Sequence, residues 1–373
     1  LKIIFICSSF ELGRDGVGDY VRRLSFELIR QGHIIAVIAL NDKYIKDQIV
    51  ENQHIENVDL SALRLSADLP LRSRLKTAKK YIDEFNPNWI SLQFVIYGYH
   101  QKGLPLWLNK LATLGKDRMW HVMFHELWLG IEINSSTKHR ILGGVQKIII
   151  KGLIKSLKPK VIHTHTLLYQ QELLGIGVEA QHLPLFGNIP LINSIKEPKQ
   201  LIIDNNCIKL VLFGHLHPNT PISDFAKELS EYAIEKDLNV SLTLIGNCGK
   251  EQQSWIDAFN SLKMNVIVLG KQPASYVSET LASSSVGIST TPVALLEKSG
   301  SVAAMREHGL FVICVPSLWH PKLNNNINLS NGIAVYKKGN LKSLFTKTTN
   351  QLPVNNILGI SSLFIDSLFN DTK

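Results

Sequence analysis

Cysteine is sparse. The four residues, Cys7, Cys207, Cys248 and Cys314, stand far apart in 373 and form no CxxC pair. That spacing excludes a disulfide scaffold, and three of the four sit in apolar strand-like runs, as buried thiols of a reducing compartment do. No apolar run reaches the length that crosses a bilayer. Ile3 to Phe10 is apolar, but Glu11 and a glycine-rich turn follow rather than a small-residue cleavage site, so no signal peptide is expected and a cytoplasmic location is. No DxD pair occupies a strand-end loop. His163 and His165 flank Thr164 on one face of a strand, yet no third ligand is in view, so no metal is expected. No DNA- or RNA-binding motif accompanies the basic residues.

The residues that are present describe a globular α/β chain. A length of 373 suggests two domains of ordinary size, and 45% hydrophobic content can fill a core in each. The net charge of +9 favours anionic partners such as nucleotide phosphates or acidic lipid headgroups.

The most informative stretch runs from Val286 to Pro316. A short apolar strand, Val286 to Ser289, leads through Thr290, Thr291 and Pro292 to Lys298-Ser299-Gly300-Ser301. An Ala-rich helix follows and stops at Gly309, and a second strand runs from Leu310 to Val315. This is the order of a βαβ crossover in a parallel sheet. A helix N-terminus presents unpaired N–H groups and a partial positive charge, and Lys298 adds a full one. Two readings are open: a phosphate seat, or a serine-capped helix beside a solvated lysine.

The chain opens on the same pattern. Lys2 to Ser8 reads as a strand, Tyr20 to Gln31 as a helix, and Ile34 to Leu40 as a second strand. Between the first two, Gly16 and Gly18 remove Cβ atoms where a ligand could approach the backbone. The spacing lacks the third glycine of a dinucleotide fingerprint, so a plain turn is equally compatible. Trp89 to Val95 and His121 to Phe124 are strands that end on polar residues: Tyr97 and His100 after the first, His125 and Glu126 after the second. Ligands of open α/β sheets sit at such carboxyl ends. His125 is therefore expected either to meet a substrate or to bond a neighbouring backbone group.

Lys138 to Lys158 reads as a basic amphipathic helix. Ile141, Leu142, Val145, Ile148, Ile149 and Leu157 form one stripe, expected inward, with Lys147, Lys151 and Lys155 beside it. Such a helix packs on a core with a solvated edge or lies on an anionic membrane surface. Asn188 to Gln200 has the turn residues of a linker. The α/β pattern then restarts with Leu210 to Phe213, the loop Gly214-His215-Leu216-His217-Pro218, and the strands Ser241 to Ile245 and Val266 to Leu269. A short amphipathic helix, Ile360 to Phe369, ends the pattern.

Taken together, GVGDYVRRLSFELIRQGH, VLFGHLHPNT, LTLIGN, VIVLG and KSGSVAAMREHGLFVI resemble, in order, the motifs of retaining, metal-independent glycosyltransferases of the GT-B fold, family 4 type. The resemblance implies two Rossmann-like domains facing a cleft, residues 1–190 on the acceptor side and 191–355 holding the nucleotide sugar. A helix over 356–373 would cross back to the first domain. It implies transfer of a sugar with retention to an acceptor hydroxyl on a glycan, lipid-linked or small molecule, in cell-surface or exported glycan synthesis. If the basic helix Lys138 to Lys158 lies on a membrane, peripheral contact with its anionic inner face is expected as well. The nucleotide sugar is a co-substrate, and no cofactor is expected. On this reading His125 and Lys298 are catalytic. Gly16, Gly18, Gly214, His215, Lys298, Ser299, Gly300 and Ser301 hold the donor, and Glu126, Tyr97 and His100 lie on the acceptor side.

The chain departs from that pattern in places. Ala304 stands five residues before Gly309, where the family usually carries a second glutamate, and Phe311 replaces a proline. After Gly214, His215 and Asn219 stand near where an arginine and a lysine are common. Two other classes compete. An NAD-dependent oxidoreductase would use Gly16 and Gly18 with Asp42 on the ribose, and a non-catalytic nucleotide-sugar-binding protein would explain Ala304.

Overall fold

The computed structural model describes residues 1–55, 58–191, 206–323, 329–347 and 351–370. The chain divides into two compact units, Leu1–Pro184 with Ile357–Lys373, and Leu185–Asn356. Beyond 191, the linker expected over Asn188 to Gln200 falls outside the described residues.

In the first unit β1 (Lys2–Cys7) leads into α1 (Gly16–Arg30) and β2 (Ile34–Asp42). A hairpin of β3 (Ile49–Ile55) and β4 (Val58–Ser66) follows, then α2 (Leu71–Phe85), β5 (Trp89–Phe94) and a single turn, α3 (Ile96–Tyr99). A 3-10 segment, Leu108–Thr113, precedes β6 (Met119–Phe124), α4 (Thr137–Leu157), β7 (Val161–Thr164), α5 (Leu167–Leu174) and β8 (Gln181–His182). The sheet runs β3-β4-β2-β1-β5-β6-β7-β8. It is parallel apart from the β3–β4 pair. The hairpin was not expected, because IVENQHI is too polar to read as a buried strand. Its place at the sheet edge is what lets it be polar.

The second unit contains β9 (Cys207–Phe213), α6 (Ile222–Glu235), β10 (Asn239–Ile245), α7 (Gln252–Asn260), β11 (Asn265–Gly270) and α8 (Ala274–Ser283). Then come β12 (Val286–Ser289), a 3-10 turn over Val293–Lys298, α9 (Gly300–Glu307), β13 (Phe311–Cys314), β14 (Ile333–Val335) and α10 (Leu341–Lys347). The strands pair in parallel in the order β11-β10-β9-β12-β13-β14. Alternation along the strands fills both faces. Leu210, Leu212, Ile288 and Ile313 join Phe225, Trp255 and Phe345 on one side. Val211, Val312 and Cys314 join Leu281, Val302 and Met305 on the other. Gly287 admits α9 to the sheet, since a Cβ there would stand 2.6 Å from Met305 Sδ. A last helix, α11 (Ile357–Asn370), belongs to the first unit, where Ser361 accepts from Gln31 at the end of α1 and Phe364 stacks on Phe5 of β1.

The structure corrects the orientation of α4. Its buried residues are Gly143, Gln146, Ile150, Leu153 and Leu157, while Ile141 and Ile148 are 67% and 70% exposed. Apolar residues surround this helix on all sides, so periodicity alone does not choose a face. Two local contacts choose it. Gly143 lies against the Leu129 carbonyl, leaving no room for a Cβ. The Gln146 side chain accepts from Leu129 N–H at 2.9 Å and donates to Gly103 O at 3.1 Å.

Beneath α1 and α11 the sheet carries a buried polar row. His163 Nδ1 lies 3.0 Å from His121 Nε2, and His121 Nδ1 lies 2.7 Å from Ser91 Oγ. The Gln93 amide spans 2.8 Å to Ser91 Oγ and 2.9 Å to His125 Nε2. His125 Nδ1 lies 3.2 Å from His165 Nε2, whose Nδ1 is 2.9 Å from Leu183 O. The Gln93 nitrogen donates to Ser91 Oγ, and the Gln93 oxygen faces His125 Nε2. Burial favours the neutral form of His121 and His163. It holds His121 well below the usual histidine range and lowers His163 to about 4.

Folded His163 stays neutral down to about pH 4, whereas the unfolded side chain takes up its proton near 6.5. Between those values the unfolded chain binds more protons, so stability is complete above about pH 6.5 and is lost as the pH falls toward 4. The urea midpoint is expected to fall across this window by the equivalent of about 3 kcal/mol from His163 alone. His163→Gln should flatten the profile, and an identical profile in that variant would contradict the assignment to His163.

Candidate functional site

In the second unit the strand numbering changes direction between β9 and β12. Chain segments leaving these two neighbours go to opposite faces, which opens a crevice at their carboxyl ends, the usual ligand position in a doubly wound sheet. The loop after β9 and the segment after β12 meet there. Gly214 has φ of +86°, and a Cβ on it would lie 3.6 Å from Ser301 Cβ. Its N–H donates to Ile245 O, at 2.9 Å. Gly246, with φ of +94°, stacks on it so closely that a Cβ would lie 3.2 Å from Gly214 N. A third glycine, Gly249, leaves space for the His215 ring, whose Nδ1 would be 3.0 Å from an added Cβ.

Thr290 and Thr291 are buried at the end of β12. Thr290 Oγ1 accepts from His217 N–H at 2.8 Å, tying the two loops together. The Thr291 hydroxyl donates to Ser299 Oγ at 3.3 Å, and Ser299 Oγ lies 3.3 Å from Ser301 Oγ. Ser299 caps α9 by accepting from Val302 N–H at 3.4 Å. The N–H groups of Gly300 and Ser301 have no carbonyl one turn back to bond. Lys298, half-buried, ends the 3-10 turn beside them. Burial, His215 and Lys298, in that order, lower the proton affinity of His217. The site thus combines one lysine charge, a helix N-terminus, three hydroxyls and a glycine-lined floor, which is chemistry suited to a phosphate group.

Five of the residues expected on the donor side, Gly214, His215, Ser299, Gly300 and Ser301, come together here with Lys298. Room at Gly300 is ample, since a Cβ would meet nothing closer than Asn188 Oδ1 at 3.8 Å. Thr290, Thr291, His217, Gly246 and Gly249 complete the constellation. Their signal was positional: each follows a strand, and only the strand order shows which strand ends are neighbours. Ala304 is fully buried, and its Cα would stand 2.7 Å from a Cβ on Gly187. Glu307 is also fully buried, and its Oε1 accepts from Gly187 N–H at 2.9 Å.

The other expected residues belong to the first unit. Asp15 caps α1, its Oδ1 accepting from Val17 and Gly18 N–H at 2.9 and 3.2 Å. Those donors, which the sequence left open for a ligand, already meet a carboxylate. Gly18 serves packing, because a Cβ on it would stand 2.9 Å from Ser9 O, whereas Gly16 faces open space. His125 is 9% exposed and contributes both ring nitrogens to the polar row, with Tyr20 edge-on at 5.0 Å. The two ring nitrogens meet the side chains of Gln93 and His165. Glu126 is half-buried. Tyr97 OH accepts from Gln146 Nε2 at 3.3 Å, and His100 Nδ1 accepts from Lys102 and Leu104 N–H in its own turn. Asp42 is fully buried and spent internally: it accepts from Arg64 Nε at 2.8 Å, Phe10 N–H at 3.2 Å and Tyr44 N–H at 3.0 Å. Among the described residues, no group of three or more His, Cys, Asp or Glu side chains could hold a metal ion.

No family model and no curated protein matches the chain. Solved structures do. The catalytic domain of starch synthase IV from Arabidopsis thaliana, bound to ADP and acarbose, matches with a TM-score of 0.56 at 12% identity, over 100% of this chain and 99% of that one. A glycosyltransferase from Rickettsia africae matches with a TM-score of 0.53 at 13% identity, over 99% and 93%. A structure assigned as a UDP-N-acetylglucosamine 2-epimerase from Listeria monocytogenes matches with a TM-score of 0.52 at 12% identity, over 100% and 96%. At such identities the likeness is one of fold, two α/β units with parallel sheets in the GT-B class.

Asp15→Ala should destabilise the first unit by about 1 kcal/mol, the usual cost of a lost N-cap. Denaturant unfolding followed by a first-unit probe checks this, and an unchanged midpoint would mean the cap is not holding α1.

Proposed function

We propose that the chain is a glycosyltransferase that moves a sugar from a nucleotide-sugar donor to an acceptor hydroxyl, with retention and without a metal ion. The observation that carries this reading is the meeting of Gly214, Lys298 and the α9 N-terminus at the switch point of the second sheet. Breaking the sugar–phosphate bond leaves negative charge on a nucleoside diphosphate, and that charge needs electrostatic help as it develops. Lys298 supplies a cation. The Gly300 and Ser301 N–H groups and the Ser299 and Ser301 hydroxyls supply donors already held in place. Glycine at 214 keeps the opposite wall free of side-chain atoms. The starch synthase that shares the fold is bound to ADP, a diphosphate of the kind this site suits.

Asp42 weighs against a dinucleotide-dependent oxidoreductase. A ribose-binding acid must have a free oxygen, and this one is buried under Arg64 and the Phe10 backbone. A nucleotide-sugar epimerase is the second reading, because a chain assigned to that activity has the same fold. The products separate the two: transfer releases nucleoside diphosphate only when an acceptor hydroxyl is consumed, whereas epimerisation needs no acceptor.

Lys298→Ala should weaken binding of a nucleoside diphosphate roughly tenfold or more and leave binding of the free nucleoside nearly unchanged. The lost charge-assisted bond is worth about 1.5–3 kcal/mol. Calorimetry with UDP, GDP and ADP beside uridine, guanosine and adenosine reads both arms. Equal weakening of both ligands, or of neither, would remove the phosphate from Lys298.

A further inference from the structure

We propose that the outward face of α4 docks on an anionic lipid bilayer. The inference stands apart from the chemistry of the second unit and rests on what turning α4 over reveals. Ile141 and Ile148 lie two turns apart on the solvent side, 67% and 70% exposed, with Val145 between them at 38%. Exposed apolar side chains occur singly on most proteins, but an aligned row of β-branched ones on a helix is a surface waiting for cover. Gly144 and Gly152 flank the row with open space where their Cβ atoms would be, so the isoleucines stand proud of the helix.

Charge says what covers it. Across its 21 residues α4 contains no Asp or Glu. Arg140, Lys151 and Lys155 are exposed along the edge of the apolar row. Lys147 is not part of this edge, since its ammonium sits 4.9 Å over the buried Trp128 ring. A second copy docking through the same face would bring like charges together. An anionic headgroup layer instead neutralises the basic edge while the isoleucines enter the acyl boundary, the arrangement of an interfacial helix. No described helix is long and apolar enough to cross a membrane, so α4 would lie in the interface plane.

The test is sedimentation of the full chain with phosphatidylcholine vesicles, with and without phosphatidylglycerol. Wild type should bind the anionic vesicles and not the neutral ones. Lys151→Glu with Lys155→Glu should weaken binding at least tenfold, from about 1 kcal/mol for each basic charge near the surface. Ile141→Ser with Ile148→Ser should also weaken it about tenfold, and do so at high salt too. All four side chains are exposed or at the rim, so the thermal midpoint should not move. Equal recovery on neutral and anionic vesicles would overturn the proposal, as would unchanged binding in both double variants. So would a dimer in light scattering that the Ile141→Ser, Ile148→Ser variant abolishes, because a second copy would then be the cover.

Discussion

The second unit depends on a constraint of parallel sheets: helices cover both faces, and its central strands fill both with apolar side chains. Leu210 and Leu212 point to one layer and Val211 to the other, and β13 repeats the alternation with Phe311 and Ile313 against Val312 and Cys314. Polar groups are thereby pushed to the strand ends. Where β9 and β12 send their chains to opposite layers, the ends of two neighbouring strands leave a crevice that neither helix layer fills. Gly214, Thr290 and the start of α9 occupy its walls because the topology places them there.

Both units begin with a strand and a helix, yet the two seats differ electrically. At α1 the first N–H groups are taken by Asp15, a carboxylate, and Arg22 closes the turn by donating to Phe10 O at 2.6 Å. That helix end is neutralised from within. At α9 the cap is Ser299, an uncharged hydroxyl, and Lys298 stands just before it. An anion is therefore favoured at α9 and disfavoured at α1. The same contrast governs Asp42 and Arg64, where Arg64 also reaches Glu11 at 2.6 Å. Removing either partner would strand a buried charge, so these residues hold the fold and are not available to a ligand.

The histidines show how far residue type misleads without partners. His125 reads as a strand-end group facing a ligand, and the strand end is where it stands. Its ring, however, belongs to a row linking Ser91, Gln93, His121, His163 and His165, five residues drawn from three strands and one loop. Alternation puts His163 and His165 on one face, but nothing in the sequence reveals that Gln93 lies between Ser91 and His125. α4 carries the same lesson for apolar residues. Nine of its side chains are aliphatic, and the buried subset was chosen by Gly143 and Gln146 against the 129 and 103 carbonyl and amide groups, contacts formed by distant loops.

What the sequence determined by itself is everything local. Period-two apolar runs made the buried strands, glycine and serine punctuated them, and the order strand-loop-helix-strand made the sheets parallel, because a crossover helix leaves no other pairing within reach. Lys298 to Ser301 could be read as a helix start from the same signals. Tertiary structure decided what depends on neighbours distant in sequence: the polar hairpin at the sheet edge, the inward face of α4, the proton partners of His125, and the junction of the Gly214 loop with Thr290 and Ser301. Each of these turns on which strand ends become adjacent, and adjacency is a property of the whole sheet.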